Sequence, residues 1–181
     1  EGSPRYISPA EAGVIVSWLE GPKCVGVFRN QSLEEVQSII TQTGVHLAQL
    51  HGDESPEYCQ ALDVGVIKVF SIRPETTREE LQEQIAPFRD AVDYLLFDTQ
   101  VGTQQGGTGV HFDWSLVHEI DDEIPYFIAG GISENDIEQI KEEARPFGID
   151  VNSSLERIAG EKDFDRMEAF FERYEALKYY D

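Results

Sequence analysis

Two segments of this sequence have residue types that bind phosphate through backbone N–H groups. Ala129 is followed by Gly130 and Gly131, and further along Asn152 is followed by Ser153. Glycine lets the backbone approach a ligand closely, and N–H groups at a helix start bind anions without a formal positive charge. Gly130, Gly131, Asn152 and Ser153 are therefore a candidate phosphate site. The alternative is that the glycines only turn the chain.

One carboxylate is placed for proton transfer. Asp98 directly follows the apolar run 94–97, where desolvation disfavours a charged carboxylate. We predict that Asp98 is a proton donor; the alternative is a solvated or helix-capping aspartate. The glycine-rich stretch 102–109 that follows includes Gly107 and Gly109. It is predicted to be a lid over a bound ligand, although a disordered connector has the same composition.

A few other side chains are candidates for contacts with a substrate. His51 ends an apolar run, where it either orients a substrate or is a structural histidine. Arg5 and Arg73 are the cations best placed to meet a substrate carboxylate. The remaining histidines, for which no special role is predicted, are His46, His111 and His118.

The spacing of residues does not predict a metal site or a nucleophilic serine. No cluster of His, Cys and carboxylates has metal-ligand spacing, and no serine lies in a nucleophile-elbow motif. Cys24 and Cys59 each lie in an apolar segment, which favours free thiols over a disulfide. The spacing therefore predicts no metal site.

The charge balance excludes anionic macromolecules as partners. The 181 residues include 35 acidic and 14 basic side chains, a formal net charge of −21. Such a surface repels nucleic acid and anionic membranes, so local donors must meet the charge of a small anion. The acidity indicates solubility, with adaptation to high salt as the alternative. No apolar run is long enough for a membrane span and no signal peptide is present, so we expect a cytoplasmic protein.

Short apolar runs alternate with amphipathic segments along the whole chain. The runs show little polar alternation, as is typical of parallel strands covered on both faces. Strands are predicted at 24–28, 45–50, 66–70, 94–97, 126–129 and 149–151. Helices are predicted at 9–19, 33–43, 57–62, 78–88, 114–120, 134–144 and 164–177, opened by Ser8, Ser32, Ser55, Thr77, Asp113, Ser133 and Asp163.

This repeat of strand and helix predicts an α/β fold with a parallel sheet. An open doubly wound sheet and a closed (β/α)8 barrel share the pattern. Polar residues follow several strands rather than one, and no G-x-G-x-x-G motif is present, so we predict a single TIM-barrel domain over 1–181. An apolar stripe on the last helix is predicted to pack in the core: Phe164, Met167, Phe170, Phe171 and Tyr174.

In their order along the chain, these segments resemble the phosphoribosylanthranilate isomerase family. The motifs are S-P-R-Y at 3–6, Q-L-H-G-D-E at 49–54, L-F-D at 96–98, G-G-T-G at 106–109, F-D-W at 112–114, A-G-G at 129–131 and N-S-S at 152–154. The resemblance implies an aldose–ketose isomerase of tryptophan biosynthesis that uses no cofactor or metal. It implies an Amadori rearrangement of N-(5-phosphoribosyl)anthranilate to 1-(2-carboxyphenylamino)-1-deoxyribulose 5-phosphate.

The resemblance also implies a role for individual residues. Asp98 matches the general acid of the family, and Arg5 matches the arginine that meets the anthranilate carboxylate. The remaining matches are His51, Gly107 and Gly109 in the substrate site and Gly130, Gly131, Asn152 and Ser153 in the phosphate loops. The expected partner is a phosphorylated small molecule, bound by a monomer or homodimer.

The sequence departs from the family at its beginning. Family members start with a strand carrying Lys-Ile-Cys-Gly, whose cysteine is the general base, then a helix and a second strand. We expect this chain to lack that β-α-β segment, roughly 30–40 residues, and to form an incomplete barrel of about six strands. Neither cysteine replaces the base, because Cys24 begins a strand and Cys59 lies on a predicted helix. A smaller departure is Val110-His111 beside the G-G-T-G motif.

Three interpretations follow from this departure. The first is an isomerase whose N-terminal segment is absent from this sequence. The second is a noncatalytic or impaired phosphate-binding barrel fragment that needs the missing segment or a partner chain, because six strands do not close an eight-strand barrel. The third is a related sugar-phosphate isomerase or epimerase, although the metal-dependent epimerases require ligands that the spacing does not provide.

Overall fold

The apolar runs form strands and the segments between them form helices. A computed structural model describes residues 3–101, 104–105, 111–118, 120 and 124–178. The strands are β1 (Val25–Phe28), β2 (Leu47–Leu50), β3 (Gly65–Ile72), β4 (Tyr94–Val101), β5 (Gln104–Gln105), β6 (Tyr126–Ala129), β7 (Gly148–Ile149), β8 (Glu156–Ile158) and β9 (Glu161–Lys162). The α-helices are α1 (Pro9–Trp18), α2 (Leu33–Thr43), α3 (Pro56–Gln60), α4 (Arg78–Ile85), α5 (Ile137–Glu143) and α6 (Phe164–Lys178). Short 3-10 helices lie at Ala86–Phe88, Trp114–Leu116 and Ser153–Leu155.

The described chain forms two compact units. The first comprises Glu1–Phe70 and Glu83–Leu95, and the second comprises Ser71–Gln82 and Leu96–Asp181. In the first unit, β1 pairs with β2 and β2 with β3, both in parallel. Their apolar side chains pack against α2 and α3 in one core: Phe28, Val36, Ile40, Val45, Ala48, Leu50, Cys59, Leu62, Val66 and Ala91.

Serine caps fix where the helices of the first unit begin. The side chains of Ser8, Ser32 and Ser55 accept hydrogen bonds from the backbone N–H three residues later, at Glu11, Glu35 and Tyr58. Such caps satisfy N–H groups that have no partner within the helix. The predicted starts of these three helices are therefore confirmed to within one residue.

In the second unit, β4, β6 and β7 are neighbours in that order, and β6 pairs with β7 in parallel. The short strand β5 pairs antiparallel with the end of β4, and β8 with β9 forms a separate hairpin. In both units the main strands follow one another in chain order. A doubly wound sheet reverses its strand order at a switch point, so this order identifies an incomplete (β/α)8 fold with six parallel strands among the described residues.

Two predicted helices of the second unit are much shorter than expected. Among the described residues of 114–120, the helical structure is the 3-10 turn Trp114–Leu116, where the Asp113 carboxylate accepts hydrogen bonds from the N–H and hydroxyl of Ser115. The helix predicted at 134–144 begins at Ile137 instead, because the Asp136 carboxylate closes a turn onto Ser133.

The apolar stripe on α6 is only partly in the core. Phe170 is buried, but Phe164 is 80% exposed and Phe171 is 51% exposed. The prediction that the whole stripe packs in the core is therefore wrong for Phe164 and Phe171. Helical spacing predicts which side chains share a face, but not how much of that face another element covers.

Candidate active site

The glycines after β6 are required by a close approach between two strands. Gly130 has a φ of +100° and Gly131 a φ of +71°. A Cβ atom on Gly130 would lie 2.5 Å from the backbone nitrogen of Thr99 and 2.7 Å from its Cβ. Real Cβ atoms do not come that close to backbone, so only glycine fits here. The loop after β6 therefore lies directly against the part of β4 that carries Asp98 and Thr99.

Asp98 lies inside β4 rather than after it. The strand continues to Val101 because Gln100 and Val101 pair antiparallel with Gln105 and Gln104, which corrects the predicted end at residue 97. Asp98 is buried, with 8% of its surface exposed. A buried carboxylate beside a glycine loop is consistent with a group that acts on a bound ligand.

Thr99 is a residue of this region that the sequence did not single out. Its hydroxyl oxygen is buried and has no hydrogen-bond partner among the described residues. Buried hydroxyls nearly always have a partner, so this one is suited to a polar ligand or a water molecule. Its only signal in the sequence was its place next to Asp98.

The loops after β6 and β7 are joined by a hydrogen bond. The Ser154 hydroxyl donates to the Ile132 carbonyl, while Ser153 begins the 3-10 turn Ser153–Leu155. Lys162 of β9 donates to the Asn152 carbonyl at 2.9 Å and to its side-chain oxygen at 2.6 Å. The structure thus brings the two candidate phosphate loops together and adds an ammonium group at Asn152.

The helix start expected to bind phosphate is not available for that purpose. The Ser133 N–H and hydroxyl each donate to the Asp136 carboxylate at 2.7 Å. These donors are engaged within the protein, and α5 begins only at Ile137. The candidate phosphate site therefore rests on the glycine and asparagine loops themselves.

His111, for which no role was predicted, contacts the glycine loop. Its Nδ1 lies 3.1 Å from the Gly130 carbonyl oxygen, and its Nε2 lies 3.6 Å from an Asp136 carboxylate oxygen. The imidazole stacks on Trp114, with ring centroids 4.8 Å apart. Neither this position nor these neighbours of His111 could be read from the local sequence.

Of the other candidate substrate residues, His51 and Arg5 lie in the first unit and Arg73 in the second. His51 directly follows β2, is half-buried, and donates its N–H to the Phe28 carbonyl at 2.9 Å. Arg5 is exposed before α1, and its backbone N–H donates to the Ser3 hydroxyl at 3.2 Å. His51 therefore follows β2 as predicted, in the position that a barrel uses for site residues. Arg73, after β3, pairs with Glu75 at 3.4 Å, and both side chains are exposed.

A buried ion pair lies beside His51 in the same unit. Lys68 of β3 contacts Glu54 at 2.9 Å, and both side chains are almost completely buried. The Lys68 ammonium also donates to the Gly52 carbonyl at 2.6 Å, and Glu54 accepts the Gly52 N–H at 3.0 Å. These contacts fix the loop that carries His51 onto β3.

Asn30 connects this pair to the loop after β1. Its N–H donates to Glu54 at 2.8 Å, and its side-chain oxygen accepts the Asp53 N–H at 2.7 Å. Burial acts to raise the pKa of Glu54, but the hydrogen bonds from Asn30 and Lys68 outweigh it and hold that pKa below its ordinary value. Glu54 is therefore ionised at neutral pH, as a carboxylate paired with Lys68 must be.

Neither cysteine has the properties of a general base. Cys59 is buried on α3, and burial raises the pKa of its thiol to about 11. Cys24 precedes β1, where its N–H donates to the His46 ring at 2.9 Å. It thus lies at the amino end of the strand, whereas barrel sites form at the carboxyl ends. Both thiols are free, as predicted.

Two predicted site residues, Gly107 and Gly109, lie outside the described residues, as does most of the predicted lid. Of the segment 102–109, the structure describes only the strand β5.

Among the described residues, no group of three or more His, Cys, Asp or Glu side chains is arranged to hold a metal ion. No helix in the described ranges is long and apolar enough to cross a membrane.

Comparisons with known proteins point to one family. A family model described as N-(5′-phosphoribosyl)anthranilate (PRA) isomerase matches residues 1–173. A protein of Nostoc punctiforme named N-(5′-phosphoribosyl)anthranilate isomerase is 36% identical over 177 residues, which cover 94% of this chain and 82% of the relative. The protein of that name from Nitrosospira multiformis is 37% identical over 171 residues, covering 94% of this chain and 80% of the relative.

Solved structures agree with the sequence comparison. The crystal structure of phosphoribosyl anthranilate isomerase from Thermotoga maritima matches with a TM-score of 0.85 and 29% identity, over 97% of this chain and 84% of that one. A phosphoribosyl anthranilate isomerase in complex with reduced 1-(o-carboxyphenylamino)-1-deoxyribulose 5-phosphate matches with a TM-score of 0.81, 28% identity and the same coverage. The fold predicted from the sequence is thereby confirmed.

Proposed function

Because the chain belongs to the N-(5′-phosphoribosyl)anthranilate isomerase family of tryptophan biosynthesis, we propose that Asp98 is the general acid of an Amadori rearrangement. The substrate is a phosphorylated small molecule. In this reaction the acid protonates the ribose ring oxygen, the ring opens to a Schiff base, and loss of the C2′ proton gives an enolamine that becomes the ketose. The observation that supports Asp98 is its burial in β4, next to Thr99, which lies against Gly130.

The phosphate group of the substrate is assigned to Gly130, Gly131, Asn152 and Ser153. The positive φ angles of both glycines turn the backbone away from the strand, which suits N–H groups that converge on an anion. Lys162, which contacts Asn152, supplies a cation near these loops in a protein with a net charge of −21. The Lys162 ammonium group also lies 3.6 Å from the carboxylate of the buried Glu156.

The remaining substrate contacts are assigned by position. Arg5 is proposed to meet the anthranilate carboxylate, since a guanidinium group pairs well with a planar carboxylate. His51 is proposed to orient the substrate from the end of β2, held there by the contacts of Lys68 and Glu54 with Gly52. Gly107 and Gly109 are proposed to line the site as part of a lid. No cofactor or metal enters this mechanism.

The general base is not assigned to a residue of these 181. A thiol with a pKa of about 11 is almost fully protonated at neutral pH, which removes Cys59. The position of Cys24 before β1 removes the other cysteine. This observation favours a second candidate function, in which the 181-residue chain binds the phosphorylated ligand without turning it over.

The role of Asp98 is tested with the substitution Asp98→Asn. We expect turnover of N-(5-phosphoribosyl)anthranilate, followed by the loss of substrate fluorescence, to fall by about 10²–10⁴-fold, the usual contribution of a general acid. Binding of the reduced product, which needs no proton transfer, is expected to change little. Asp90→Asn is the matched control, because Asp90 is exposed.

Equal turnover in Asp98→Asn and the unmodified protein would reject the assignment. If the unmodified 181-residue chain binds the reduced product but does not isomerise the substrate, the second candidate function is supported. Measuring turnover after adding a peptide with the family's first β-α-β segment then tests whether a separate chain can supply the general base.

The cellular location and the oligomeric state of the protein are further proposals. A cytoplasmic location suits a biosynthetic enzyme of this family. We propose a monomer or homodimer; one solved structure is of mutually generated monomers of the dimeric isomerase from Thermotoga maritima. Sedimentation of the purified protein distinguishes the two states.

A further inference from the structure

His111 occupies a position that the proposed mechanism does not use. It lies at the end of the undescribed stretch 106–110 and contacts the loop assigned to the phosphate group. Its ring is mostly buried, with the side chain 17% exposed, between Gly130, Asp136 and Trp114. Three different segments thus meet at one imidazole.

The contact with the Gly130 carbonyl determines which ring nitrogen of His111 carries a hydrogen. A carbonyl oxygen only accepts hydrogen bonds, so the Nδ1 atom that lies 3.1 Å from the Gly130 oxygen must carry a hydrogen. In a neutral ring, Nε2 would then present a lone pair to the Asp136 carboxylate 3.6 Å away. In the imidazolium, Nε2 carries a hydrogen as well, and both contacts become favourable.

The ring lies between a carboxylate and an aromatic face. Asp136 is the charged side chain in contact with the imidazole among the described residues, and the face of Trp114 also stabilises a positive charge. Other charged groups on the packed elements are engaged elsewhere. Asp113 caps Ser115, Glu138 of α5 pairs with Arg173 at 2.8 Å, and Lys141 of α5 donates to the Leu177 carbonyl.

We propose that His111 is a positioning residue of the phosphate site, which in its imidazolium form holds the Gly130 loop against Asp136 and supports the binding of a dianion. This inference rests on the proposed assignment of the phosphate group to the loops of Gly130 and Asn152. It adds a pH dependence that the assignment alone does not require. Protonation of His111 and anion binding must each promote the other, because such coupling is reciprocal.

Sulfate is the probe that separates this effect from the ligand's own ionisation. Phosphate esters change their charge near pH 6, whereas sulfate stays a dianion between pH 5.5 and 8.0. Calorimetric titration of the protein with sulfate is expected to show an affinity about fivefold or more higher at pH 5.5 than at pH 8.0, a typical size for coupling between two sites. The pH range is that in which histidine changes charge.

Two variants assign the pH dependence to this residue. His111→Gln keeps a donor for the Gly130 carbonyl but removes the charge, so its sulfate affinity at pH 5.5 should fall to the value at pH 8.0. Asp136→Asn should lower the sulfate affinity at pH 5.5, because the carboxylate in contact with the ring is lost. His46→Gln is the matched control, since His46 is exposed before β2 and bonds to Cys24; it should keep the dependence of the unmodified protein.

Each outcome has a distinct meaning. Sulfate binding that is equally pH-dependent in His111→Gln and the unmodified protein would overturn the role of His111 while leaving the phosphate assignment intact. If neither sulfate nor the reduced product binds at any pH, the phosphate assignment fails, and the role of His111 fails with it. Loss of the dependence in His111→Gln, but not in His46→Gln, supports the inference.

Discussion

Two glycines of this protein share a left-handed backbone but have different surroundings. Gly130 has a φ of +100° and a Cβ there would meet Thr99 at 2.5 Å, whereas Gly21 has a φ of +105° and nothing within 4 Å. Alanine at Gly21 therefore costs only the backbone conformation, and alanine at Gly130 also costs a backbone clash. The pair separates two effects that usually occur together.

We expect Gly21→Ala to reduce the free energy of unfolding by about 1–2 kcal/mol, the cost of a left-handed conformation. Gly130→Ala should cost a further 1–3 kcal/mol or so for overpacking, since Thr99 must move. Urea unfolding of both variants measures the difference. Sulfate affinity should fall in Gly130→Ala alone, because only that change displaces the loop assigned to phosphate. Equal stability of the two variants would show that Thr99 of β4 can move away from the added Cβ atom at no cost in free energy.

Individual site residues could be predicted from the sequence where their immediate neighbours in the chain marked them as unusual. Asp98 stood out because a carboxylate at an apolar run is uncommon, and the structure places it in a buried strand. Thr99 and His111 did not stand out, since their importance comes from contacts with Gly130, about 30 and 19 positions further along the chain. Contacts between distant positions leave no periodic pattern in a single sequence.

At the scale of elements, one buried ion pair connects three strand ends. Lys68 of β3, Glu54 after β2 and Asn30 after β1 form one network of hydrogen bonds around a buried carboxylate. Buried pairs contribute little to stability compared with apolar side chains, but removing one partner is costly. The network therefore determines the loop geometry more than it adds stability.

Lys68→Met should destabilise the protein by about 3–5 kcal/mol at pH 7, because the ionised Glu54 then stays buried without its cation. Adding Glu54→Gln should recover more than half of that loss, as the amide oxygen still accepts the N–H of Asn30. Urea unfolding gives these values, with Lys23→Met at an exposed lysine as the control, expected to change by less than about 0.5 kcal/mol. A double variant no more stable than Lys68→Met would argue against a buried charge as the cause.

Helix starts were predictable where a serine or threonine cap was followed by a regular apolar pattern. Ser32 before α2 and Thr77 before α4 each accept the N–H three residues later. Ser133 carried the same signal, but Asp136 competes for its N–H and hydroxyl, and the helix starts four residues after the serine. The end of β4 was missed for a related reason, since its partner β5 lies in a segment without apolar residues.

For the whole molecule, the dominant physical property is its negative charge. A formal charge of −21 on 181 residues repels itself in the folded state more than in the expanded unfolded state. Dissolved salt screens this repulsion over a Debye length of about 10 Å at 0.1 M. The stability of the protein should therefore depend on ionic strength.

The temperature of half-unfolding should rise by about 3–6 °C between 10 mM and 0.5 M NaCl, corresponding to roughly 1–2 kcal/mol for a chain of this size. Calorimetry or circular dichroism measures it. Choline chloride is the control, because an equal rise with that salt indicates screening, and a rise with sodium alone indicates a bound cation. A midpoint that stays constant in both salts would show that the acidic residues are too widely spaced to destabilise the fold.

The contacts described for the acid strand, the glycine loop and the asparagine loop are all made within residues 96–162. Recombination that joined a gene at the codon for Leu96 would transfer the proton donor, the anion loops, His111 and Lys162 together, as one inherited block. Exchange in the other part of the gene would then alter the residues proposed to meet the anthranilate ring while leaving the block unchanged. The residues that contact the two ends of the substrate are thus free to diverge at different rates.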